Sequence, residues 1–257
     1  MRITLAEDDI HLWYAWDQRI TDAALLARYR QLLTADERER QDRFHFARHR
    51  HQYLVSRALL RGVLSRYAAV EPGAWRFRNN AFGKPEIANA GIAAPRFNLS
   101  HSEQLVVLAV AARGEVGVDV EWLGRSASLL ELADHYFAPE EVRQLRALPA
   151  AMQTSRFFDF WTLKEAYIKA CGLGLSIPLH HFSFRFDASG RVGIAFHPER
   201  GDDAGRWQFW QVSVSDQHRL ALAQRLPARV PQRLTVRQVV PLADQIEVAA
   251  PFVHSLP

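Results

Sequence analysis

Residues 114–122, GEVGVDVEW, follow a turn at Arg113-Gly114 and alternate β-branched with small or acidic side chains, the pattern of a strand. Residues two apart on a strand point to the same face, so Asp119 and Glu121 stand side by side while Val118 and Val120 take the opposite face. Two neighbouring carboxylates repel unless a cation, a proton or solvent separates them, and oxygen-only ligands suit Mg²⁺ or Mn²⁺. The alternative is the solvent face of an antiparallel strand. Upstream, RFNLSHS and LVVLAVAA supply two more strands, and WRFRNNAFGKPEI is extended with a turn at Asn79-Asn80. Downstream, Ser126 to Leu148 is expected to be helical with a break at Ala138-Pro139. Thr154, Ser155 and Arg156 open a second helix, FFDFWTLKEAYIKACGLG, which Gly172 and Gly174 stop. HFSFRFD, VGIAFH, WQFWQVSVSD and HRLALAQRL then read as antiparallel strands. The expected class is α+β, in two halves of similar layout over residues 1–112 and 113–257. The tail from Pro227 on carries little information.

Glu165 and Lys169 lie at i and i+4 on the second helix, the favourable order for an ion pair. A surface pair there would contribute only about 0.3–0.5 kcal/mol. At about 100° per residue, however, both flank Phe158 at the edge of the apolar stripe, where a charge needs a partner. Three other features are weaker. SHS at 100–102 offers hydroxyl and imidazole donors for a phosphate, with no acid placed to orient His101. Gly83-Lys84-Pro85 is a turn that presents an amine. His45, His49 and His51 have metal-like spacing, in surroundings too basic to favour zinc.

Composition narrows the function. The net charge is +4 over 257 residues, and Thr34 to Arg66 alone carries eight arginines against four acids. Thr34 can cap a helix there, and the segment is expected to form two helices or one broken one. Of 32 basic residues only Lys84, Lys164 and Lys169 are lysine. That bias raises the question of what an ammonium does at those three positions that a guanidinium cannot. With 48% hydrophobic and 23% charged residues the chain is neither disordered nor fibrous. No apolar run approaches the roughly 20 residues of a membrane span. The acidic N-terminus is unlike a signal peptide, so a cytoplasmic protein with no membrane partner is expected. The single cysteine, Cys171, excludes an internal disulfide framework.

The ordered set FGKP, FNLSHS, GVDVE and WTLKEAYIKACGLGL resembles the 4'-phosphopantetheinyl transferase superfamily, in its longer surfactin-synthetase-activator type. The likeness runs from about Thr34 to Phe184 and includes RFHF at 43–46, HYFAPEE at 135–141 and GLSIPLHHFSF after the helix. It implies a pseudo-dimer of two α+β halves, each an antiparallel sheet packed with helices, with coenzyme A bound in the cleft between them. It also implies Mg²⁺ (or Mn²⁺) on Asp119, Glu121 and Glu165, and catalysis by Glu165 and Lys169. Glu165 would be the base, directly or through a metal-bound water. Lys164, Lys169, Lys84, Ser100 and His101 would contact coenzyme A, with Arg40 and Arg48 near the 3'-phosphate. Glu37 and Tyr53 stand where some relatives have a cation and a threonine.

The implied reaction moves 4'-phosphopantetheine from coenzyme A to a serine of an acidic acyl, peptidyl or aryl carrier protein or domain. Such carriers belong to fatty-acid, polyketide or nonribosomal-peptide synthases, with HYFAPEEVRQL as a docking patch. A monomer is expected. The alternatives are a Mg²⁺-dependent phosphohydrolase acting on coenzyme A or a nucleotide, and a basic nucleic-acid-binding protein. The second is disfavoured because acids interrupt the arginines and no groove-reading motif is present.

Overall fold

The computed structural model of the chain describes residues 2–124, 128–228 and 230–254. The elements run β1 (Asp9–Trp16), α1 (Ala23–Leu32), α2 (Ala35–Arg43), α3 (Ala47–Leu64), β2 (Phe77–Asn79), β3 (Pro85–Ile87), β4 (Arg96–Ser102) and β5 (Leu105–Ala111). There follow β6 (Glu115–Trp122), α4 (Leu129–Tyr136), α5 (Pro139–Arg146), α6 (Ala150–Cys171), β7 (Phe182–Phe186) and β8 (Val192–Phe196). The last are β9 (Trp207–Val212), β10 (His218–Arg225), β11 (Arg233–Val239), β12 (Gln245–Glu247) and β13 (Phe252–His254). Among the described residues no helix is long and apolar enough to cross a membrane.

Two compact α+β units result. The first comprises Met1–Asn80, Pro85–Arg113 and Gln232–Ala249. Its five-stranded sheet has the order β12-β11-β1-β5-β4. This sheet is not wholly antiparallel as expected. β11 lies parallel to β1, with Leu12 opposite Val236, because a segment distant in sequence returns to the sheet without a hairpin. Trp13, Ala15, Leu108 and Val110 of the sheet pack with Leu59, Leu60 and Val63 of α3. The basic segment forms two helices, as the spacing indicates. Thr34 and Glu37 make a reciprocal capping box on α2, and Glu37 then ion-pairs with Arg57 and with Arg61 at 2.7 Å. The last pairing ties α2 to the buried side of α3.

The second unit comprises Ala81–Lys84, Gly114–Pro231 and Ala250–Pro257. Its sheet, β13-β9-β10-β6, is antiparallel throughout. The helical segment breaks at Ala138-Pro139 as expected. Ser126, its expected start, lies outside the described residues, and α4 is seen from Leu129. α6 starts at Ala150, ahead of the Thr154-Ser155 opening expected, and ends where Gly172 takes φ +68°. The β7–β8 hairpin follows as a separate ribbon.

Gly117 sets the distance between α6 and β6. A Cβ at this position would lie 2.0 Å from the Ala166 carbonyl oxygen and 2.4 Å from the Ala170 nitrogen. The neighbours across the ladder on the same face, Ala223 opposite Gly117 and Ala221 opposite Asp119, are also small. Gly117→Ala is therefore expected to push the helix off the strand at a cost of roughly 3 kcal/mol, as in overpacked cores. That corresponds to a fall of about 6–12 °C in melting temperature, with loss of most activity. Thermal melts beside a turnover assay check it, and a variant that melts and turns over like the parent would contradict the close approach.

Candidate active site

The face of β6 that carries Gly117 also carries Asp119 and Glu121, so both carboxylates turn toward α6. Asp119 is 3% exposed, which removes the solvent-face alternative, and Val116, Val118 and Val120 are buried on the other side. From α6, Lys169 donates to Asp119 Oδ1 at 2.5 Å, with 29% of the lysine side chain exposed. This ion pair joins helix to strand, so the partner that the position of Lys169 at the edge of the apolar stripe calls for is Asp119. One turn earlier, Glu165 is half-buried. Burial first, and then the charges of Asp119 and Glu121, push its carboxyl up to about 7, while Lys169 pulls the other way. Asp119 and Glu121 therefore act on Glu165 by charge across the contact between β6 and α6.

Whether this seam fits a divalent ion depends on its donors. They are oxygen-only and carry up to three negative charges against one ammonium, the donor chemistry of Mg²⁺ or Mn²⁺. Among the described residues no three His, Cys, Asp or Glu side chains are grouped closely enough to hold a metal ion. With Lys169 on Asp119, the seam holds a cation of its own instead. The donor chemistry thus suits a hard cation, while the arrangement shown gives Asp119 to the Lys169 ammonium and leaves the three carboxylates ungrouped. His45, His49 and His51 form no such group either, and the His51 Nε2 lies 2.8 Å from the Asp17 carbonyl oxygen.

Lys164 is a correction. It immediately precedes Glu165, and the resemblance makes it a phosphate contact, yet it is 0% exposed. Its ammonium lies 2.9 Å from Glu141 Oε2 and donates to the carbonyls of Leu179 at 2.8 Å and Phe182 at 2.7 Å. Three acceptors occupy its three protons. Glu141 is likewise 0% exposed and accepts from the backbone N–H of Ala138 and of Phe184. Burial works against both charges, lowering the lysine and raising the glutamate, and their contact opposes it. HYFAPEE thus contributes through its second glutamate an internal anchor for α6. Tyr136, on the same segment, is 39% exposed.

Lys84 is half-buried and donates to the Ala170 carbonyl at 2.9 Å and the Val116 carbonyl at 3.3 Å. It sits where a helix C-terminus favours a cation. In the first unit, Ser100 and His101 are adjacent on the edge strand β4 and so point to opposite faces, Ser100 buried and His101 exposed. Arg40 and Arg48 are exposed, their guanidinium groups over the rings of Tyr53 and Phe46. One residue that sequence reasoning misses is Arg219 on β10, the ladder partner of Glu121. The two are 98 positions apart, and only the register reveals the pairing.

Comparison with known proteins agrees with this geometry. The model of the 4'-phosphopantetheinyl transferase superfamily matches residues 115–223, and that of the 4'-phosphopantetheinyl transferase N-terminal region matches residues 16–113. The chain is 38% identical over 179 residues to 4'-phosphopantetheinyl transferase HetI of Nostoc sp., covering 68% of this chain and 73% of that one. It is 34% identical over 167 residues to 4'-phosphopantetheinyl transferase Sfp of Bacillus subtilis, covering 65% and 72%. Among solved structures, Thermotoga maritima holo-[acyl-carrier-protein] synthase matches 47% of this chain and 65% of its own, at 22% identity and a TM-score of 0.36. The phosphohydrolase and nucleic-acid-binding alternatives find no support among these relatives. The chain belongs to the 4'-phosphopantetheinyl transferase superfamily, in its surfactin-synthetase-activator type.

Proposed function

We propose that this chain moves the 4'-phosphopantetheine arm of coenzyme A onto a serine hydroxyl of an apo carrier protein and releases 3',5'-ADP. The observation that carries this reading is the part-buried contact of β6 and α6, where Asp119 pairs with Lys169 and Glu121 and Glu165 lie alongside. The serine oxygen forms a bond to the β-phosphorus as the bond to the 3',5'-ADP oxygen breaks. In such a transfer, positioning and charge stabilisation supply most of the acceleration. Glu165, half-buried on α6 beside the strand that carries Asp119 and Glu121, is placed to act as the base for the serine proton. Lys169, part-exposed on the next turn, neutralises the departing phosphate and can return a proton to it. Asp119, Glu121 and Glu165 would hold Mg²⁺ or Mn²⁺, which when bound neutralises the pyrophosphate.

Arg40, Arg48, Lys84, Ser100 and His101 are proposed coenzyme A contacts, and Lys164 acts from within the fold. The natural partners are proposed to be acidic carriers of fatty-acid, polyketide or nonribosomal-peptide synthases, met by a cytoplasmic monomer. The test incubates the purified protein with coenzyme A, Mg²⁺ and apo carriers of each type, with mass spectrometry of the carrier. A gain of one phosphopantetheine group is expected. No gain on any carrier overturns the reading, and release of 3',5'-ADP without a carrier indicates hydrolysis instead.

A further inference from the structure

The first unit holds a cavity of about 400 Å³, lined by Arg2, Gly62, Ser65, Arg66, Leu242 and Ala243. That volume lies within the roughly 300–1,000 Å³ of small-molecule sites. The lining contains two arginines and no acid, and none of it belongs to the proposed coenzyme A or metal contacts. Backbone hydrogen bonds build the walls. The Ile3 N–H donates to the Arg66 carbonyl at 2.7 Å, which brings Arg2, one residue earlier, to Arg66. Opposite in sequence, the turn from Val240 to Ala243 closes through the Ala243 N–H on the Val240 carbonyl, and the Tyr29 hydroxyl donates to the Pro241 carbonyl at 2.7 Å. Leu242 takes φ +61° in this turn, uncommon for a residue with a side chain. Its Cδ2 comes so near α3 that a Cβ on Gly62 would lie 3.3 Å away.

The arginines stand without a counter-charge. Among the described residues neither guanidinium makes a hydrogen bond or ion pair. The Arg66 guanidinium lies 5.6 Å from the centre of the Trp13 ring, and that of Arg237 lies 5.2 Å from the same ring. Arg237 has Glu247 at 3.1 Å, whereas Arg66 has the ring alone. Burial first, and then the charge of Arg237, hold the Arg66 guanidinium below the usual arginine value. A helix C-terminus attracts cations, but it does not account for Arg66. The carbonyls of Arg61, Val63 and Leu64 already accept from the N–H groups of Ser65, Arg66 and Tyr67.

We infer that this cavity binds the phosphate group of a small organic phosphate monoester, gripped by Arg2 and Arg66, with Leu242 and Ala243 against its apolar part. Two positive charges with no acid between them favour a dianion. A phosphate monoester carries about −1.5 to −2 at pH 7, roughly twice a carboxylate, and guanidinium groups match its oxygens with paired N–H donors.

Equilibrium dialysis of the intact protein against inorganic phosphate, phenyl phosphate and benzoate tests this. Phenyl phosphate should bind tightest, and benzoate, a monoanion with the same ring, roughly tenfold more weakly or worse. Arg66→Gln and Arg2→Gln should each weaken phenyl phosphate binding about tenfold or more, while kcat and the coenzyme A KM stay within about twofold of the parent. Unchanged binding in both variants overturns the proposal, as does benzoate binding equal to that of phenyl phosphate. Phenyl phosphate that survives both arginine substitutions but is lost in Lys169→Met sits in the active site, and again the proposal fails. A coenzyme A KM raised about tenfold in the arginine variants would make the cavity part of the coenzyme A site, which also overturns a separate one. Arg66 touches Trp13, so if Arg66→Gln does not fold, the exposed Arg2 decides through Arg2→Gln.

Discussion

Glu165→Gln is expected to lower kcat/KM roughly a thousandfold, the range for removing a base or a charge-stabilising group from a phosphoryl-type transfer, and to leave the fold intact. Glutamine keeps the shape of the side chain but can neither take the serine proton nor contribute charge toward a cation. The same substitution should have a second, opposite effect on stability. In the metal-free protein the carboxyl is raised from about 4.5 to about 7, by burial and by the neighbouring Asp119 and Glu121. A folded-state value above the unfolded one means that the carboxyl's contribution to stability is fully present below about pH 4.5 and is lost as pH rises through about 7. Glutamine, neutral throughout, escapes that loss. In chelator, the variant should match the parent near pH 5 and exceed it near pH 8 by up to roughly 3 kcal/mol, several degrees of melting temperature. Melts at the two pH values check it. A parallel pH dependence for parent and variant would mean that burial and the neighbouring charges do not raise the Glu165 carboxyl, and full turnover would remove Glu165 from the chemistry.

The sequence reveals the site better than its supports. β6 and α6 could be read because their apolar periods are local, and with them Asp119, Glu121, Glu165 and Lys169. β1 is not legible in the sequence because its segment, DIHLWYAW, lacks the alternation of a half-solvated strand, and it is buried along almost its whole length. β11 is not legible either, because its partner in the sheet lies more than 200 residues earlier. Ser155 has a residue type common at helix starts, and the sequence places it in the opening of the helix. It stands instead inside α6 and accepts from Arg219. Glu141 has the residue type of a first-turn acid, and it does accept from the Ala138 N–H, but its larger role is toward Lys164 and Phe184. In each case the partner lies far off in sequence or on a neighbouring element, and no spacing rule reaches it.

Lys164 yields the sharpest contrast between the two sources of information. The scarcity of lysine marks it correctly as a position where arginine does not serve, but the reason is packing. A compact ammonium meets three acceptors inside a closed shell that includes the ring of Phe182, 4.4 Å from Nζ. A flat guanidinium with five donors has neither the space nor the partners. Lys164→Met should therefore act on stability. It strands the Glu141 carboxylate inside the protein, a loss of about 3–5 kcal/mol for a broken buried pair, large against a typical total of about 5–15 kcal/mol. Lys164→Arg should also destabilise. Adding Glu141→Gln to Lys164→Met removes the stranded charge while keeping an acceptor for a backbone N–H, and should restore at least about half of the loss. Urea unfolding of the single and double variants measures this, and coenzyme A KM of whatever folded enzyme remains should stay within about threefold of the parent. The outcome expected of a phosphate contact is the reverse: parental stability with a KM raised tenfold or more. Because Lys164 precedes Glu165 directly in α6, a loose anchor at 164 would also displace the carboxylate proposed as the base, so kcat should fall together with stability in Lys164→Met and recover with it in the double variant.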